Sequence, residues 1–71
     1  MRADLLLHKE LYQRECVDQA VQDYRALARI KVSSLDKYIG CTFSRCSYGK
    51  EITIKEFSNY VIDLMNQVTL G

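Results

Sequence analysis

The segment from Asp4 to Lys9 is a short apolar run with polar ends, too brief for a helix of its own and suited to a strand that buries at least one face. From Gln13 the period changes. At 100° per residue Cys16, Val17, Ala20, Val21, Tyr24 and Leu27 fall within an arc of about 140°, while Arg14, Asp18, Gln19, Gln22 and Arg25 fall outside it. This pattern predicts an amphipathic helix, with Glu15 in its first turn and Arg25 near its last, each suited to the helix dipole. Strict alternation then returns: Ile30 and Val32 take one face of a second strand, and Arg29, Lys31 and Ser33 take the other. After the turn-forming residues Ser34, Leu35, Asp36 and Lys37, a third strand from Tyr38 to Ser44 places Ile39, Cys41 and Phe43 on its apolar side, so the two strands read as a hairpin. Arg45 to Lys50 is polar, contains Gly49 and reads as a loop. Thr53-Ile54-Lys55-Glu56 matches a capping box and predicts a second helix that starts at Thr53. Its apolar arc holds Ile54, Phe57, Tyr60, Val61, Leu64, Met65 and Val68, and Gly71 closes the chain.

The order β-α-β-β-α, with one apolar stripe per helix and one apolar sheet face, predicts an α+β fold. It is a two-layer sandwich in which both helices cover one face of a three-stranded sheet, and residues 1–71 form a single small domain. A right-handed crossover through the first helix makes the first and second strands parallel, with the third strand either between them or outside the second. The other sheet face then shows Arg29, Lys31, Ser33, Tyr38, Gly40, Thr42 and Leu5 or Leu6. It is polar, slightly basic and uncovered, and the sheet keeps at least one bare edge.

Composition narrows the function classes. Seventy-one residues, 48% of them hydrophobic, leave room for one thin core, so a partner, a dimer or a crosslink could contribute to stability. Ten Lys and Arg against nine Asp and Glu give a formal charge of +1, short of the basicity of a dedicated nucleic-acid binder. The longest uninterrupted aliphatic run, Leu5-Leu6-Leu7, is too short for a membrane span or a secretory signal, which sets the expectation of a cytoplasmic protein with no membrane partner. The three cysteines, an odd number, read as reduced thiols, with Cys16 and Cys41 in the core and Cys46 exposed in a loop.

Few residues suggest chemistry. His8 with Cys16, Cys41 and Cys46 supplies zinc-type donors, but the nearest pair, Cys41 and Cys46, lacks the close spacing of structural zinc sites. The single histidine has no nucleophile tied to it by a motif, and none of the three isolated glycines forms a phosphate-binding loop. The expectation is a non-enzymatic protein without metal or cofactor. Arg29, Lys31 and Lys37 beside Tyr38 are loosely similar to the stacking platforms that hold single-stranded nucleic acid, although an ordinary solvated face is the plainer reading. On the second helix Glu56, Asn59 and Asp63 align away from the core, and Ile62 lies outside the apolar arc as a contact point for another chain.

Glu56-Phe57-Ser58-Asn59-Tyr60-Val61-Ile62-Asp63, following a small strand-helix-hairpin unit with Tyr12 before its first helix, resembles the HxsD-like proteins of His-Xaa-Ser peptide-modification systems. The arginine that follows the Asp in that pattern has no counterpart in Asn66-Gln67-Val68. The resemblance implies a small accessory protein acting beside radical-SAM enzymes and a ribosomally made precursor peptide, with Phe57, Asn59 and Asp63 as signature positions. The leading expectation is therefore a binding module for a peptide or a peptide-modifying enzyme, its partner contacts drawn from Glu56, Asn59, Ile62, Asp63, Arg29, Lys31 and Tyr38. The alternatives are a nucleic-acid-binding module using the sheet face and a subunit of an obligate oligomer, such as a homodimer through an edge strand.

Overall fold

The structure, a computed structural model, describes residues 3–70 in backbone and 3–67 in side chains. Its elements are β1 (Leu5–His8), α1 (Arg14–Asp23), β2 (Arg29–Ser34), β3 (Tyr38–Ser44) and α2 (Lys50–Leu70). The α+β architecture and the predicted element order are both present. The three strands form one sheet in the order β1-β3-β2, and both outer strands pair antiparallel with β3. β1 and β2 are therefore parallel to each other, with β3 inserted between them.

Register follows from alternation. Leu5 and Leu7 lie opposite Cys41 and Ile39, and Ile30 and Val32 lie opposite Phe43 and Cys41, so one face of all three strands is apolar. Both helices cover that face. Ile39, Cys41 and Phe43 are buried with Leu7, Ile30, Cys16, Val17, Ala20, Ala28, Phe57 and Val61 in one core. At its centre the Phe57 ring meets the edge of Phe43 at 5.3 Å and of Tyr24 at 5.5 Å, each pair near perpendicular. The helices run antiparallel: Tyr24 and Asp23 at the end of α1 meet Phe57 and Tyr60, whereas Gln13 and Cys16 at its start face Leu64 and Gln67 across a cleft.

Two boundaries differ from the sequence expectation. α2 begins at Lys50, not Thr53, because Gly49, with φ +96°, turns the chain directly into the helix. Thr53 is consequently inside the first turns. Its hydroxyl donates to the Gly49 carbonyl at 2.7 Å and its N–H to the same oxygen at 3.2 Å, so the capping box does not form. α1 ends at Asp23, which leaves Arg25 beyond its last turn; the Leu27 and Ala28 N–H groups donate to the Tyr24 carbonyl at 2.8 and 3.0 Å, and Ala28 is buried in the core. Cys46, expected to be exposed, is half-buried and packs against the core. Gly71 and the arc position of the Val68 side chain lie outside the described residues.

Candidate functional site

The uncovered sheet face carries Leu6 and His8 of β1, Tyr38, Gly40, Thr42 and Ser44 of β3, and Arg29, Lys31 and Ser33 of β2. Arg29 and Lys31 lie side by side, opposite Ser44 and Thr42, and both are exposed. Tyr38 sits at the other end of β3, four residues from Thr42 and so about 14 Å away. There its ring packs edge-on against His8 at 5.2 Å. Between them, a Cβ on Gly40 would lie 3.2 Å from both the Ala3 Cβ and the Leu35 Cδ1, so these two side chains cover the middle of the face. The cations and the aromatic ring are thus on one surface but are not neighbours.

The helix residues fall on two flanks of α2. Glu56, Asn59 and Asp63 are all exposed. Glu56 belongs to the flank nearer α1, where burial, followed by the Glu56 charge, raises the pKa of Tyr24. On the same flank the Tyr60 hydroxyl donates to Asp23, a bond that raises the Tyr60 pKa by favouring its protonated form. Ile62 lies on the opposite flank, 38% exposed, in line with Ile54 and Ser58 at i, i+4 and i+8. The seven expected partner residues therefore occupy three separate surfaces.

His8 has a local role. Its Nδ1 accepts the Glu10 N–H at 3.2 Å, and its carbonyl accepts the Leu11 and Tyr12 N–H groups at 2.9 and 3.0 Å, which fixes the turn leading to α1. Cys16 and Cys41 are buried, and burial pushes the Cys41 thiol up to about 11, which keeps it protonated at neutral pH. Among the described residues no group of three or more His, Cys, Asp or Glu side chains comes together around a metal position. The cleft of about 370 Å³ between the start of α1 and the end of α2 contains Cys16, whose thiol donates to Gln13 Oε1 at 3.7 Å, and no described histidine. No helix of the described residues is long and apolar enough to cross a membrane.

The two outer strands leave two sheet edges, and their hydrogen-bond parity can be read from the ladder ends. Lys9 N–H donates to the Lys37 carbonyl at 3.0 Å, so by alternation Leu5 and Leu7 also bond to β3. Leu6 and His8 point their backbone groups to the free side. On β2, Leu35 N–H donates to the Tyr38 carbonyl at 2.8 Å, which turns Ile30, Val32 and Ser34 outward. The edges differ in side chains: Arg29 and Lys31 flank the outward groups of β2, whereas Leu5, Leu6 and Leu7 carry no charge. Sequence reasoning singled out Arg29 and Lys31 and passed over Leu5, Leu6, Ile54 and Ser58. The visible signal was the uncharged leucine run, in contrast to the charged alternation of β2.

No family model, curated protein or solved structure matches the chain.

Proposed function

We propose that the protein is a non-enzymatic accessory module that binds an extended peptide, or a peptide-modifying enzyme, through an open edge of its sheet. The observation that carries this reading is the arrangement β1-β3-β2, which leaves two edges bare in a sheet of only three strands. A bare edge offers main-chain donors and acceptors at fixed spacing, and an added strand gains affinity from them and selectivity from alternate side chains. The resemblance to HxsD-like proteins supplies a setting: a precursor peptide and a radical-SAM enzyme in the cytoplasm.

Nucleic-acid binding has less support, because Lys31 and Arg29, opposite Thr42 and Ser44, are about 14 and about 20 Å from Tyr38 along the sheet, and Leu35 lies over its middle. Salt dependence separates the two readings. In fluorescence titrations between about 50 and about 200 mM salt, strand addition changes little, whereas phosphate contacts weaken steeply through counterion release. A salt-tolerant complex with an extended peptide is the expected result. Tight, salt-labile binding of a single-stranded oligonucleotide that disappears in the Arg29→Ala, Lys31→Ala double variant, with no peptide complex, would replace this reading by the nucleic-acid one.

A further inference from the structure

Resting on that reading, we infer that the peptide site is the free edge of β1, and that its occupant is a short extended peptide strand, uncharged and apolar at alternate positions. Three features of the fold single out this edge.

The first is the backbone. The Leu6 N–H and C=O and the His8 N–H face outward, whereas the His8 carbonyl is taken by the Leu11 and Tyr12 N–H groups. The edge thus provides three main-chain bonds, enough to register a strand of about four residues. The second is charge. Edge strands in stable proteins are ordinarily blunted by shortness, charged side chains, proline or a bulge. The six-residue β2 is blunted by Arg29 and Lys31, whereas β1, reading Leu-Leu-Leu-His, carries no charge along its four residues and is limited by its length alone.

The third is the wall above the edge. α1 packs over β2 and α2 over β3, so the α2 flank that faces away from α1 lies on the β1 side. α2 also follows the course of β1: Lys50 at its start pairs with Asp4 at 3.5 Å, and Met65 and Asn66 line a groove with the turn that follows β1. The stripe Ile54, Ser58 and Ile62 is on this outer flank, and the Ser58 hydroxyl is already used, donating to the Ile54 carbonyl at 2.9 Å. A strand added beside β1 points the side chains opposite Leu5 and Leu7 toward this apolar flank. Its intervening side chain, opposite Leu6, lies on the open face. A charged residue at the inward positions would lose solvent beside Ile54 and Ile62, a cost that pairing with the exposed Lys55 of the same flank offsets only in part.

Area decides between a peptide and a second copy of the chain. A stable dimer buries about 800 Å² per partner, which is about 15% of the 5217 Å² surface of this molecule. A four-residue strand paired with its own copy is too short to supply that. A peptide needs only the edge and the flank of α2.

The test is amide hydrogen exchange followed by NMR on the whole chain. The probe is a peptide of alternating valine and threonine, N-methylated on alternate residues so that only one of its edges can pair. Bound peptide is expected to slow exchange of the Leu6 and His8 amides by about tenfold or more while leaving Ile30, Val32 and Ser34 unchanged. The same peptide with glutamate in place of valine is expected not to bind. Protection at Ile30, Val32 and Ser34 instead would overturn the assignment to β1 while keeping the edge-binding module. Protection of Leu6 and His8 without peptide, rising with protein concentration, would make a second copy the occupant and overturn the inference. Absence of any complex would remove both the inference and the proposed function.

Discussion

Phe57→Ala tests whether α2 is held to the sheet by the aromatic centre of the core. Phe57 is fully buried, with Phe43 at 5.3 Å on the sheet side and Tyr24 at 5.5 Å on the α1 side, both edge-to-face. Truncation removes the ring from two aromatic pairs at once and leaves a void that neither the sheet nor a helix can fill without losing its own contacts. Such substitutions cost about 3–5 kcal/mol. A chain of this length is stable by about 4–10 kcal/mol, so the loss takes a third or more of the total. With a urea m-value near 1 kcal/mol/M for a small domain, the midpoint moves down by about 3 M or more, or the variant is unfolded in buffer. Ile62→Ala, at a 38% exposed position, is the control and shifts stability by under about 0.5 kcal/mol. Circular-dichroism melts in urea read both. A midpoint for Phe57→Ala equal to that of the parent would refute the helix-on-sheet core.

Further outcomes follow from local geometry. Asp4 accepts the Phe43 N–H at 2.8 Å, which, with help from Lys50, holds its carboxyl below the ordinary value of 3.8. Its contribution is therefore present above that value and lost as pH falls through the lowered one, so acid unfolding of Asp4→Ala should be less pH-dependent in this range than that of the parent. Cys41, raised to about 11 by burial, should resist a thiol-alkylating reagent until the protein unfolds, whereas half-buried Cys46 reacts first; mass spectrometry of the labelled peptides gives the order. Gly49 has φ +96° and open space around its Cβ direction, so Gly49→Ala should destabilise by about 1–2 kcal/mol in a thermal melt through backbone strain alone.

Periodicity made the elements legible, because each strand and helix has one face that must be buried. Ile39, Cys41 and Phe43 alternate as a strand face must, and Cys16, Val17 and Ala20 recur as a helix face must; all six are buried. Strand order was not legible from the same pattern. β3 could have satisfied its apolar face at either side of β2, and its central place depends on pairing with β1 through long-range contacts. The start of α2 was misread because Thr53 and Glu56 fit a capping box locally, while the real start is set by the positive φ of Gly49. The candidate site depends on strand order as well. Which leucines lie on a free edge, and which flank of α2 stands above them, follows only once β3 occupies the centre of the sheet.

Peptide affinity in Leu6→Pro tests the account most directly. The Leu6 N–H points away from β3, so proline removes no internal ladder bond, and an edge strand tolerates it. The ring deletes one donor to an added strand and places its own methylenes in the path of the peptide. One lost bond is worth about 1 kcal/mol; with the clash, the dissociation constant for the singly paired valine-threonine peptide should rise by about tenfold or more while the urea midpoint stays near that of the parent. An affinity equal to the parent's in a folded Leu6→Pro variant would contradict the assignment of the peptide to the β1 edge.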